Sequence, residues 1–468
     1  MKLGLLPSIH KEQSVKHPVK IAVVCLARKT YDFGAAGELY SKIREDLKSV
    51  EAVQWCFIDE LVISQEDGLA AAKKLAGEHV DGLICISGTF HLGHLVLMIK
   101  RELAVPVLLW GLPELPYNGG KIRLNSVCGV NLNASNLYKS GFDDYTVIIQ
   151  NTVDQDWIDA LRVIKAMKGS KIGIIGYRAD GFFNVGVQDN LLFGQTGALV
   201  DHYELSEVHN YEVGDEEVSR RRKQLADTFD VSTLSAYQLD KVSRLSAKLD
   251  AFYHANGLSA LAIRCWPEFA RDFGVSPCAA MSLLQSEGLI LACEGDIDGA
   301  LSMIAHKALG AETPFLFDFS QVDFEQDFAL FWHCGVAPCN LWDGVCNRSL
   351  DTYFAGGKGV TADFVLKSGE LSVLRIDSAR GGYRMFLQKA KAIPMEKLLK
   401  GTYMKVVFDR PVKDVLNLVL DNGLAHHSSV VYGTYIRALE LVAKIKGWKV
   451  ICYIHMPFSS ITIQTFCL

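Results

Sequence analysis

Residues 289–320 read LILACEGDIDGALSMIAHKALGAETPFLFDFS. Two apolar runs, LILAC and PFLF, flank a segment with helical periodicity, and each run ends on a carboxylate, Glu294 and then Asp318. Short apolar runs separated by a helix are the pattern of strands buried in a parallel sheet. In such sheets the polar groups that bind ligands collect at the carboxyl ends of the strands. An acid at the end of each of two buried strands therefore predicts a site rather than core.

The same alternation extends toward the N-terminus. KIAVVCLA, VQWCFID, GLICISG and VPVLLWG read as strands, with GELYSKIREDLKSV, DGLAAAKKLAGEH and HLVLMIKREL as the helices between them. A second α/β unit starts near KIGIIGY and carries a charged helical insert, EEVSRRRKQLADTF, before four apolar runs: LSALAIRC, LILAC, PFLF and FALFW. From about residue 350 the texture changes to Gly-punctuated alternation, GGKGVTADFVLKSGELSVLRIDSARGGYRMFLQ, which predicts an antiparallel or barrel-like unit. The stretch PVKDVLNLVLDNGLAHHSSVVYGTYIRALELVAKIKG reads as two helices around an AHHSS turn. The expected fold class is α/β, with two doubly wound parallel-sheet domains at 1–165 and 166–345. A smaller β-rich, barrel-like domain follows at 346–468, with helices near its end.

The bulk properties narrow the function. The chain has 468 residues, is 49% hydrophobic and carries a formal net charge of -5. It is long enough for several domains with cores of their own, and its charge argues against nucleic acid or an anionic membrane as partner. No apolar run reaches about 18 residues, so no transmembrane helix is predicted. The start, MKLGLLPSIHKEQSVKHPVK, reads as a non-signal N-terminus, and the terminal TFCL is not a prenylation box. Several of the 12 cysteines sit inside apolar runs, the pattern of buried reduced thiols, which predicts a cytoplasmic protein.

If the four apolar runs are adjacent parallel strands, Glu268, Glu294, Asp318 and His333 converge on one rim. Asp296 reads as an N-cap of the helix that follows, and Asp298 as a complement to that helix's dipole. Glu294 and Asp318 are harder to assign to structure alone, because an ionised carboxylate next to a core needs a partner or a metal. The pair His426-His427 is a further candidate. Two oxygen ligands with one or two imidazoles suit Mn²⁺ or a similar divalent ion better than structural zinc. His333, Cys334, Cys339 and Cys346 lack the paired spacing of zinc modules. GIIGYRADGFFNVG does not match a dinucleotide fingerprint. Trp266, Trp332 and Trp342 fall near the expected rim, where an indole can stack on a sugar or simply pack in the core.

Taken together, ACEGD, PFLFD, WHCG and GLAHHSS resemble the L-fucose isomerase and L-arabinose isomerase superfamily, as do PVLLWGLPELPYNGGKIRLNSVCGVN and KSGELSVLRI. The resemblance implies a metal-dependent aldose-ketose isomerase that acts on a free sugar through an ene-diolate, with Mn²⁺ or another divalent cation and no organic cofactor. It implies Glu294 and Asp318 as acidic metal ligands that also move the proton, and His427 as the C-terminal imidazole ligand. His426 would neighbour the substrate, and His333 would match an additional ligand of the arabinose type. Glu followed by Asp is similar to the fucose branch, so the chain mixes features of both. The resemblance also implies a homo-oligomer, trimer or hexamer, in which Arg28 of the ARKTYD loop reaches a substrate held by a neighbouring subunit. Trp266 and Glu268 complete the expected substrate contacts. Two alternatives stand beside this reading: an isomerase or epimerase of a modified sugar at the same metal site, and a non-catalytic sugar-binding protein.

Overall fold

The computed structural model describes residues 15–452. The N-terminal stretch read as a non-signal start lies largely outside these residues, and the TFCL tail lies wholly outside them. The first sheet is parallel, with strands β1 (Val19–Leu26), β2 (Val53–Phe57), β3 (Gly82–Ser87), β4 (Val107–Gly111) and β5 (Tyr145–Ile149) in the order β2-β1-β3-β4-β5. Its inner strands are near-continuous apolar runs because helices cover both faces, so β3 and β4 are buried along their whole length. A second parallel sheet holds β6 (Lys171–Ile175), β7 (Leu199–Tyr203), β8 (Ala260–Ile263) and β9 (Leu291–Cys293), in the order β7-β6-β8-β9. The α/β class and the two parallel sheets follow the expectation.

The remaining strands are β10 (Phe315–Asp323), β11 (Phe328–His333), β12 (Ser349–Asp351), β13 (Thr361–Val365), β14 (Gly369–Ala379), β15 (Gly382–Ile393), β16 (Thr402–Phe408), β17 (His427–Tyr432) and β18 (Lys449–Ile451). Six of them close on themselves. β10 pairs with β11, β11 with β16, β16 with β15, β15 with β14, β14 with β17, and β17 with β10, all antiparallel. The two-residue turn Arg380-Gly381 joins β14 to β15 with both φ positive, at 52° and 78°, as a tight hairpin of this hand requires.

Two readings change here. PFLF and FALFW are barrel strands, not third and fourth members of the second parallel sheet. A short apolar run looks the same whichever sheet buries it, so periodicity could not separate the two. Likewise HSSVVY is the barrel strand β17 rather than a turn between helices. Its β-branched run carried the signal, and the helices on either side, Val412–Asp421 and Ile436–Lys446, obscured it.

One helix, Ile297–Ala308, lies between the second sheet and the barrel, and it is buried on nearly every face. Polar bonds stitch it to the barrel. The Ile376 N–H donates to Ser302 Oγ (2.8 Å), and the ring of His306 meets Ser429 Oγ through Nδ1 (2.9 Å). These bonds set the depth at which the end of β9 meets β17. No helix among the described residues is long and apolar enough to cross a membrane.

Candidate active site

Glu294 is the first residue after β9, and it is held at φ 61°. A non-glycine residue there is in the sparsely used left-handed region, and such positions cluster where a side chain must be aimed. Gly295 follows at φ 72°, where a Cβ would lie 2.4 Å from the carbonyl oxygen of Tyr177, so only glycine passes. Asp318 comes from β10, where the antiparallel register sets it directly opposite His427 on β17. Opposed residues on such strands hold their Cβ atoms about 5 Å apart, so the register itself delivers a carboxylate and an imidazole to one place.

The side chains converge on that point. Glu294 Oε1 accepts from Trp266 Nε1 (3.1 Å), and Oε2 accepts from His426 Nε2 (3.2 Å). His427 Nε2 stands 3.4 Å from Glu294 Oε2 and 3.5 Å from Asp318 Oδ1, close to both yet hydrogen-bonded to neither. The ring of His333 lies nearly parallel to that of His427, with centroids 5.5 Å apart. A pocket of about 590 Å³ opens over the group, and Trp266, Glu294, Asp318, Trp332 and His333 contribute to its wall.

Hydrogen bonds assign the protons. His427 donates Nδ1–H to Asp296 Oδ2 (3.0 Å), which aims its Nε2 at Glu294 and Asp318. In His426 the Asn184 amide donates to Nδ1 (2.9 Å), so its proton is on Nε2 and points at Glu294. In His333 the Cys334 backbone N–H donates to Nδ1 (2.9 Å), which puts the proton of the neutral ring on Nε2. Burial pushes Glu294 up, but the His426 and His427 contacts outweigh it and hold its carboxyl well below the usual carboxylate range. Burial pushes His427 down, but Asp296 and Glu294 lift it to about 10. The surroundings of His427 Nε2 are therefore built to stabilise positive charge.

Asp296 caps the helix through the Gly299 N–H (2.8 Å), as expected, and does more. It is fully buried, orients His427, and forms an ion pair with Arg375 of β14, itself fully buried. Reading Asp296 as a cap alone missed this role. The signal was Arg375, a charge inside the apolar run LSVLRI. Asn184 was missed as well, since the loop after β6 matched no known fingerprint.

Asp298 takes a different part. It accepts from the Ser378 N–H (2.8 Å), the Ser378 hydroxyl (2.6 Å) and the Tyr383 hydroxyl (3.0 Å). Burial raises its carboxyl from 3.8 to about 6, against the pull of Arg375 and Ser378. The folded state thus binds this proton more tightly than the unfolded chain. The stabilisation is fully present below an unfolded pKa of about 3.8 and is lost as pH rises through about 6, a change of about 3 kcal/mol. Urea unfolding across this window should show wild type losing stability relative to Asp298→Asn. A difference between the two that does not vary with pH would overturn the assignment.

One expected contact is not brought to the pocket. Glu268 has both oxygens engaged by Arg264, at 2.9 and 2.6 Å, and it does not line the cavity. The i,i+4 pairing satisfies its charge locally. Arg28, expected to reach a substrate held by a neighbouring subunit, is exposed just past the end of β1, with its backbone N–H donating to Thr89 Oγ1 (2.8 Å). Trp342, another indole expected near the rim, donates to the Cys346 carbonyl (2.9 Å) instead. Every described cysteine is free.

A divalent metal fits these donors. Asp318 Oδ1, His333 Nε2 and His427 Nε2 are buried and have no hydrogen-bond partner among the described residues, although buried polar atoms are normally paired. Asp318, His333 and His427 form one candidate ligand group, and Glu294, His426 and His427 form another, with His427 common to both. Carboxylate oxygens joined by an imidazole whose far nitrogen is anchored by a buried acid are a regular metal-binding arrangement.

Carboxylates and imidazoles gather at a strand end beneath the pocket, on this α/β and barrel scaffold, and the relatives of the chain make it a sugar aldose-ketose isomerase. The fucose/sulfoquinovose isomerase N-terminal domain family matches residues 22–167. The sulfoquinovose isomerase of Priestia aryabhattai is 28% identical over 427 residues, which is 88% of this chain and 94% of that protein. The sulfoquinovose isomerase of Alkalicoccus urumqiensis is 28% identical over 441 residues, covering 91% of this chain and 97% of its own. The chain is a fucose isomerase-like protein. Among solved structures, GanP, a glucose-galactose binding protein from Geobacillus stearothermophilus, is 13% identical over 63% of this chain and 92% of its own, with a TM-score of 0.16. A likeness that low carries no argument.

Proposed function

We propose that the protein is a metal-dependent aldose-ketose isomerase that works through an ene-diolate, with Glu294, Asp318 and His427 as ligands of a divalent cation, Mn²⁺ first. The observation that carries this reading is the pair of buried, unpartnered atoms on Asp318 and His427, gathered beside Glu294. A divalent ion there supplies Lewis-acid polarisation of the sugar carbonyl and counter-charge for the ene-diolate.

The chain's own groups do the rest. One of Glu294 and Asp318 takes the C2 proton, which is returned at C1 directly or through its partner, while the O2 hydroxyl proton passes to O1. His426 donates to Glu294 and steadies its orientation. Asp296 holds His427 Nε2 toward the two acids, where a divalent cation would take the place of its proton. The sequence counted His333 among the ligands. We assign it instead as a donor, because the Cys334 amide occupies Nδ1 and leaves a proton on Nε2, where it can meet a sugar oxygen. Trp266 and Trp332 supply flat apolar walls. The relatives' names make sulfoquinovose the first sugar to test, in line with a modified-sugar isomerase. A homo-oligomeric assembly and a cytoplasmic setting belong to the same proposal.

Chelator-stripped protein should be inactive and should regain turnover when Mn²⁺ is added back. Ketose formation would be followed across sulfoquinovose, L-fucose, D-arabinose, L-arabinose and D-galactose. Turnover that survives exhaustive chelation would sink the metal assignment. Metal binding without turnover of any aldose would sink the isomerase reading.

A further inference from the structure

The pocket wall contains two cations among its mostly apolar and aromatic groups, Arg271 and Lys358. They differ in what they have left to offer. Arg271 forms a two-pronged pair with Asp272, at 2.7 Å through Nε and 2.7 Å through a terminal nitrogen. Lys358 donates to the backbone carbonyl of Ala270 (3.0 Å), and no carboxylate among the described residues lies within ion-pair distance of its ammonium. An ammonium has three donors, so two remain for a ligand.

The loop that carries Lys358 is shaped for this placement. Ala355, Gly356, Gly357 and Gly359 all have positive φ, at 53°, 67°, 85° and 59°, which curls the chain tightly around the lysine. Gln238 holds the loop from below by donating to the carbonyl oxygens of Gly357 (3.3 Å) and Lys358 (3.0 Å). Arg271 and Lys358 also line a neighbouring cleft of about 460 Å³ with Tyr237 and Gln238. Arg271 and Lys358 are exposed, whereas Glu294, Asp318 and His333 of the same pocket are half-buried or buried, so the cations stand on its outer side.

From this arrangement we infer that Lys358, seconded by Arg271, is the anion subsite of the pocket and selects sugars bearing a sulfonate at the end remote from the carbonyl; the inference rests on the isomerase reading for the orientation of the sugar. The floor receives O1 and O2, so the far end of a six-carbon chain projects toward the outer wall. A sulfonate there meets an ammonium that forms no ion pair among the described residues, since Asp272 of the same cleft is taken by Arg271. An uncharged methyl at that position leaves the ammonium without a partner, so specificity comes from the charge and not from the apolar wall.

The test compares sulfoquinovose with quinovose, which is the same sugar without the sulfonate. Wild type should favour sulfoquinovose in kcat/KM by at least about 10-fold. Lys358→Met should lose at least about 10-fold on sulfoquinovose, through KM, and change quinovose by less than about 2-fold, while Lys358→Arg recovers most of the loss. Calorimetry of sulfoquinovose binding to wild type and Lys358→Met should show the same loss of affinity. Equal losses on both sugars, or none on either, would overturn the subsite and leave the isomerase reading intact. Lys358-dependent binding of sulfoquinovose without turnover of any aldose would support the subsite and overturn the isomerase reading instead.

Discussion

Glu294→Gln is expected to lower isomerase turnover by at least about 10³-fold while the protein unfolds at the wild-type denaturant concentration. The carboxylate serves twice in the proposed chemistry, as a ligand and as a member of the proton-transfer pair. An amide can keep the Trp266 hydrogen bond, now 3.1 Å, but it neither carries the charge that His426 and His427 face nor accepts a proton from carbon. The shape is unchanged, so the left-handed turn at Glu294 and Gly295 should survive. Asp318→Asn should behave alike, because its Oδ1 has no hydrogen-bond partner among the described residues. Turnover by either variant within about 10-fold of wild type, with Mn²⁺ saturating, would remove that carboxylate from the proton-transfer pair.

Arg375→Met is expected to destabilise the folded protein by about 3–5 kcal/mol in urea unfolding. Arg375 is fully buried on β14, where it pairs with Asp296 and lies 3.3 Å from Asp377. Removing it leaves the Asp296 carboxylate in the core with His427 and a helix N-terminus as its remaining support. Breaking one side of a buried pair strands the other charge, and that desolvation cost dominates over the lost packing. Asp377 has a second partner in Arg384, at 2.6 Å, so its loss is smaller. The double variant Arg375→Met, Asp296→Asn should recover part of the stability, since neither charge is then stranded. A single-variant loss below about 1 kcal/mol would show that the pair does not hold the helix to the barrel.

Much of this molecule is legible in its sequence. Parallel strands and their helices announce themselves in 19–111 because a strand covered on both faces has no polar positions. The hairpin around Arg380-Gly381 does so because a tight turn between alternating strands needs positive φ. Glu294 and Asp318 stood out because an acid at the end of an apolar run has no structural reason to be there. Glu268 met the same test and gave a different result, since an arginine four residues earlier satisfies it locally and a strand-end position alone does not tell a paired acid from an unpaired one.

What only the tertiary structure decided is which groups face one another. PFLF could belong to either sheet. Its pairing with β17 in the barrel is what sets Asp318 opposite His427, because a register is chosen by the whole closed set of strands and not by one run. Asp296 changes from a cap to the orienter of His427 only once β14 brings Arg375 across to it, 79 residues away in the chain. Lys358 is one of many surface lysines until a glycine-rich loop folds it over a pocket that other segments build. Local periodicity follows from covalent geometry and solvent, so the sequence alone determines it. The proton positions on His333, His426 and His427 depend on partners that only the folded chain supplies.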